Sequence, residues 1–475
     1  MQLQALVALL TLIGSSNAHQ VHNAQHARLA KRATVNTVTT TVATTSHSSS
    51  AAATSSASSL LSMAATTSAS ASLPSVSSMV GTGIPPLSQL TSGMPSPSTL
   101  PPTATYSGGA SPPVSGVPPL PSPTFVYKNG DWPTQDQVPP TNSSEVQQWM
   151  KELEAFNIPS FAPTVDGSCG TDPDALAHAA DRGWWTCGGY TRPTDITACP
   201  DKLTWGVSFD DGPGPYSTQL LEFLFQKNIS STFFVIGSRI IERPAVLVEE
   251  YMGGHEISVH TWSHRPLTSL TNEQIVAELG WTRKAIKAVI GVTPTTMRPP
   301  FGDIDDRVRA ISLAMGLVPV IWTRTPSGSQ FDTNDWKVPG GVVTGPESFS
   351  TFQSILGNAT IIDTGFVVLQ HDLYASTVDL AVGYTLPLAM SFNPHLTLEP
   401  IGQCNKIPES NLYRESNTNT TFPYKNATSG DPSIPVSPSQ DTSGTNSTNA
   451  ASDALNPIYN IAAAAGIVMS TILLT

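Results

Sequence analysis

Two acidic residues stand side by side at Asp210-Asp211, followed by Gly212-Pro213. Neighbouring residues of a strand point to opposite sides, but at a strand end the chain can turn both carboxylates inward. Two carboxylates this close repel unless a cation lies near. One can then bind a metal ion while the other stays free as a base. Further on, His260-Thr261-Trp262-Ser263-His264 sets two imidazoles four apart. On a helical turn they face one way, a spacing suited to one ion. Asp211, His260 and His264 thus form a three-ligand set that leaves positions for water and substrate. A divalent ion there polarises a carbonyl and makes a nucleophilic hydroxide available near neutral pH. Asp210 becomes the base that takes the water's proton, and His371 the acid for the leaving group. His255-Glu256 precede His260 as H-E-x-x-x-H, not H-E-x-x-H, so a zincin protease is not supported.

The elements that must hold these residues follow from the apolar pattern. Residues 203–209, 231–236, 256–260, 317–322 and 361–369 read as strands. Residues 217–226, 243–252, 272–289, 305–314, 346–356 and 379–390 read as helices. Repeated strand-then-helix means an α/β fold with a parallel sheet or barrel. Active sites of such folds lie at the C-terminal ends of the strands. Asp210-Asp211, His260, Arg298 and His371 all follow apolar runs, where that rule puts chemistry.

Five motifs in order then resemble the polysaccharide deacetylases, the NodB-homology group of carbohydrate esterase family four. Ser208-Phe209-Asp210-Asp211-Gly212-Pro213 is similar to T-F-D-D-G-P, with Ser208 for Thr. His260 to His264 is similar to H-[ST]-x-x-H, and Arg298-Pro299-Pro300-Phe301-Gly302 to R-x-P-[YF]. Asp332-Thr333-Asn334-Asp335-Trp336 resembles D-x-x-D-W, and Leu369-Gln370-His371 resembles L-x-H. The resemblance spans roughly 200–405. It implies a distorted (β/α) barrel. It also implies Asp210 as catalytic base and Asp211, His260 and His264 as metal ligands. Arg298 pairs with Asp210 in this reading. The backbone N–H of Phe301, where many members have Tyr, helps bind the oxyanion. Trp336 and Leu369 wall an acetyl pocket, and Asp335 orients His371 and raises its pKa. The implied cofactor is one divalent ion, Zn²⁺ before Co²⁺.

Composition places this domain in a longer design. Charged residues are only 12% of the 475, with a net charge of −12. The acidity excludes a nucleic-acid partner, which needs a basic face. Residues 33–125 contain no Asp, Glu, Lys or Arg, and Ser and Thr fill 39 of these positions. This reads as an O-glycosylated stalk that cannot fold alone. The barrel is therefore expected between disordered Ser/Thr-rich segments. The expected order is a signal peptide at 1–18, a possible pro-segment at 19–32 ending in Lys31-Arg32, and the stalk at 33–125. An N-terminal extension at 126–199, the deacetylase domain at 200–405 and a linker at 406–449 follow. An anchor signal at 450–475 closes the chain: small residues, a polar spacer and a short apolar tail form the pattern of a GPI anchor, attached near Asn449.

Six N-x-[ST] sequons, at Asn142, Asn228, Asn358, Asn419, Asn426 and Asn446, fit a secreted glycoprotein. Four cysteines suit two disulfides in an oxidising space. Of three possible pairings, Cys199 with Cys404 and Cys169 with Cys187 are favoured. The expected setting is the cell wall and outer face of the plasma membrane, with cell-wall glycans as partners. The resemblance implies N-acetylglucosamine polymers as substrates, and the wall setting favours chitin. Peptidoglycan or acetylxylan are competing substrates. A non-catalytic wall mannoprotein is the alternative from another class.

Overall fold

The computed structural model describes residues 83–94 and 97–418. The signal, pro-segment and anchor assignments lie outside the described residues, as do the first part of the stalk, Asn419, Asn426, Asn446 and Asn449.

Seven parallel strands form the centre: β1 Thr204–Asp210, β2 Thr232–Val235, β3 Glu256–Val259, β4 Thr296–Met297, β5 Val318–Pro319, β6 Phe366–Val367 and β7 Thr397–Pro400. Their order is β5-β4-β3-β2-β1-β6, with β7 also on β1. Register is clean where the strands are long, as in Ser208 opposite Thr232 and Phe233 opposite Ile257. The two edges meet through irregular links. Thr323 N donates to Val367 O at 3.0 Å, and Leu369 N to Phe331 O at 2.8 Å. The sheet therefore closes as a distorted barrel. Every β1 residue is buried, as in a sheet covered on both sides.

The helices form where local signals demand them. Asn272–Ile290 starts at a capping box of Thr271 and Gln274 and stops at Gly291, which is left-handed at φ 84°. Ile275, Leu279, Ile286 and Ile290 line its buried face. Other boundaries differ from the sequence reading. The expected strand at 317–322 keeps only two ladder residues, because Pro319 has no N–H to donate. The expected strand at 361–369 shrinks to Phe366–Val367, since Ile361 still belongs to the helix Gly345–Ile361. The last helical stretch begins at Ala375 and passes through a π segment, Ala381–Thr385. Strand β7 was not expected.

The stalk assignment needs correction over its described part. Leu90 and Leu120 are buried, and Tyr106 and Phe125 pack on the main core. Gly345 N donates to Leu90 O at 2.7 Å, and Thr103 N to Glu249 Oε1 at 2.9 Å. These sparse apolar residues build no core of their own; they cover apolar surface that the barrel already presents. The same holds for 406–418, assigned to the linker. Tyr413 is buried and its hydroxyl accepts from Ile257 N at 3.1 Å.

The extension at 126–199 joins the barrel through Val146, Leu153 and Trp185. Ion pairs tie it to the segment after β4: Arg182 with Asp305, Arg192 with Asp306 and Asp195 with Arg309. Disulfides join Cys169 to Cys187 and Cys199 to Cys404. No described helix is long and apolar enough to cross a membrane.

Candidate active site

The site lies at the C-terminal ends of the strands. Asp210 is the last residue of β1, and Asp211 follows it. His260 follows β3 directly. His255 sits at the other end of β3, where burial depresses its pKa to about 4. It is far from any role beside His260.

Three buried donors converge. His260 Nε2 lies 3.3 Å from Asp211 Oδ1, and His264 Nε2 lies 3.2 Å from the same oxygen. All three ligand atoms fall within 4.8 Å of one another. The other nitrogen of His260, Nδ1, donates to Arg298 O at 2.8 Å. That bond selects the tautomer whose Nε2 is a lone pair facing the cluster. Two imidazoles and one carboxylate, so arranged, fit a divalent metal ion.

Asp210 stands beside this cluster, its Oδ2 3.9 Å from His260 Nε2. Its Oδ1 accepts from Arg298 Nη1 at 2.6 Å. Arg298 also lies over the ring of Phe234, 4.0 Å from its centre. Phe301 sits at φ 61° in the left-handed region, its ring 4.5 Å from that of His264.

His371 bridges to Asp210 along the backbone, and Asp335 grips it twice. His371 Nδ1 lies 2.7 Å from Asp335 Oδ1, and His371 N donates to Oδ2 at 2.8 Å. Burial opposes a charge on this imidazole, but Asp335, with Asp211 and Asp210 behind it, wins and raises the pKa to about 10. A cationic imidazole is thereby held ready as a proton donor. Trp336 N donates to Asp335 Oδ1 at 2.8 Å, and Asp332 bridges to Leu369. The loop bearing Trp336 thus runs beside Leu369.

Two carboxylates were missed by the sequence reading. Asp372 accepts from Ser217 Oγ, which accepts in turn from Gly214 N at 2.7 Å. A Cβ at Gly212 would lie 2.6 Å from Asp372 Oδ2, so any side chain there would displace that carboxylate. Asp303 accepts from Trp184 Nε1, Thr186 Oγ1, Thr268 N and Thr268 Oγ1 at 2.7–2.9 Å. It joins the extension to the loop of Phe301. Both stand immediately after or near a motif, His371 and Arg298-Pro299-Pro300-Phe301-Gly302, and that adjacency was the available signal.

A barrel with a carboxylate–bis-imidazole centre, a buried Asp–Arg pair and an Asp-supported histidine defines a metal-centred hydrolase. Residues 197–320 match the polysaccharide deacetylase family model. The chain is 52% identical over 354 residues to Chitin deacetylase 1 of Cryptococcus neoformans var. grubii, covering 74% of each protein. It is 35% identical over 285 residues to Chitin deacetylase 2 of the same fungus, covering 54% of this chain and 59% of that one. The solved chitin deacetylase of Colletotrichum lindemuthianum overlaps 46% of this chain and 95% of its own at 23% identity, with a TM-score of 0.41. The chain belongs to the polysaccharide deacetylase family.

Proposed function

We propose that this protein hydrolyses the N-acetyl groups of chitin, giving chitosan and acetate. The observation that carries the reaction is the presence of two supported proton-handling groups beside one candidate metal centre: Asp210 with Arg298, and His371 with Asp335. The choice of chitin is supported by the 52% identical relative.

Asp211, His260 and His264 would hold the ion, with Zn²⁺ preferred and Co²⁺ admitted by the donor set. When bound, it supplies Lewis acidity toward the acetyl carbonyl and lowers the pKa of a water. Asp210, paired with Arg298, takes the proton of the attacking water. The N–H of Phe301 faces the charge that develops on the acetyl oxygen, a contribution of about 3–4 kcal/mol in comparable sites. Trp336 and Leu369 enclose the methyl group. His371 gives its proton to the departing amine, oriented by Asp335.

The proposed setting is the cell wall and outer plasma-membrane face, through a signal at 1–18 and a GPI anchor near Asn449. Two disulfides and exposed sequons at Asn142 and Asn228 support an oxidising, glycosylating compartment. Release of the cell-bound protein by a phosphatidylinositol-specific phospholipase tests the anchor.

The decisive assay is acetate release from chitin oligomers, acetylated xylan and peptidoglycan, with Asp210→Asn beside the native protein. The variant is expected to lose acetate release and keep its metal. Equal activity in D210N refutes the assigned base; a preference for xylan or peptidoglycan refutes the substrate.

A further inference from the structure

The segment between the two histidines has a shape that calls for an anion. Thr261 lies at φ 65° and His264 at φ 55°, both left-handed and neither a glycine. Such backbone is strained and persists only where its surroundings over-determine it. Successive N–H groups beside a left-handed residue converge on one point and form a nest for a negative charge.

That point is occupied. Trp262 N donates to Glu278 Oε2 at 2.7 Å, and Ser263 N donates to the same oxygen at 2.8 Å. Ser263 Oγ donates to Glu278 Oε1. Glu278 is fully buried on the helix Asn272–Ile290, whose apolar face packs in the main core. One carboxylate, reaching from a separate element, therefore satisfies three donors within the five-residue metal loop. The loop is pinned on its other side by Trp262, whose Nε1 donates to Thr134 O at 3.0 Å and whose ring stacks on Trp132.

We propose that Glu278 is a positioning residue for the metal centre. It acts through Trp262 and Ser263, holding the strained loop so that His260 and His264 present their Nε2 atoms to one point. The proposal rests on the reading of Asp211, His260 and His264 as metal ligands.

Metal affinity of the full chain, measured by competition with a chromophoric chelator for Zn²⁺, tests it. Glu278→Gln keeps the shape and one oxygen able to accept both backbone N–H groups, and puts an amide nitrogen, which cannot accept, where Oε1 accepts from Ser263 Oγ. It is expected to bind Zn²⁺ about 10-fold more weakly, and Glu278→Ala about 100-fold, the range seen when outer-sphere partners of metal ligands are changed. The Co²⁺ absorption spectrum is expected to change in E278A as the imidazoles lose their orientation. Equal Zn²⁺ affinity in the native protein and E278Q overturns the proposal, whether or not E278A folds. So does a fall in the melting temperature of the metal-free protein with affinity unchanged, the outcome of a merely structural role. A native chain that binds no Zn²⁺ overturns the metal centre itself, a result distinct from equal binding by the variants.

Discussion

Arg298 and Asp210 form a wholly buried pair across the mouth of the barrel, 2.6 Å from Nη1 to Oδ1, joining the ends of β4 and β1 that are not neighbours in the sheet. Removing one member of such a pair leaves a buried charge uncompensated, at a cost of about 3–5 kcal/mol. Arg298→Ala is expected to lose at least ~3 kcal/mol of stability in urea denaturation, together with acetate release. Lys at this position cannot reproduce the planar fork or the stack on Phe234, so R298K is expected to rescue little of either. Native-like activity in R298K would contradict the pairing argument.

The pH profile should turn on Asp335. His371 donates its proton only while protonated, so activity is lost as pH rises through its pKa. The carboxylate of Asp335 raises that pKa against the opposing effect of burial. In Asp335→Asn burial dominates, and the alkaline limb of kcat/KM is expected to move to lower pH. A limb that stays in place would show that Asp335 does not support the acid.

Metal removal should be visible without any substrate. A chelator is expected to lower the melting temperature of the native protein, since an ion bound only by the folded state stabilises by about 2.7 kcal/mol at 100 times its Kd. His264→Ala is expected to retain far less metal by elemental analysis and to melt at the same temperature with or without chelator. Full metal content in H264A would remove that residue from the centre.

Leu90 tests whether the segment before residue 126 is part of the folded body. Its side chain is fully buried, and Leu90 O accepts from Gly345 N. Leu90→Ala is expected to destabilise the protein by about 2–5 kcal/mol, as for other buried leucines. No change in denaturation midpoint would mean that this segment is detached in solution.

Cys199 and Cys404 are 205 residues apart, and their bond ties the approach to β1 to the element after β7. Closing so long a loop stabilises by about 5 kcal/mol on chain-entropy grounds. The double substitution C199S/C404S is expected to lower the denaturation midpoint more than C169S/C187S does. The separation of the second pair is only 18 residues.

Much was legible before any coordinates. The residue types of the site, their order along the chain and their place after apolar runs were all readable, because strand ends are marked by a local change from apolar to polar. The helix Asn272–Ile290 was readable almost to the residue, since its caps are local chemistry. Strands β4 and β5 were poorly readable: two ladder residues each leave no period to detect. The segments 84–125 and 406–418 misled, because low charge and many prolines look alike whether a chain is free in water or laid on an apolar surface.

The sequence by itself determined which groups are available: two adjacent carboxylates and a spaced pair of histidines just beyond strands, one arginine, and a late histidine after an apolar run. Which of them meet was implied by the family resemblance alone, and the tertiary structure shows it. Arg298 reaches Asp210 across 88 residues, and His371 reaches Asp335 across 36. It alone brought Glu278 under the loop of His260 and His264. Periodicity reports which face of an element is buried, and capping reports where it ends. Neither reports which strand pairs with which, because parallel pairing joins segments far apart in the chain and is set by how whole faces pack.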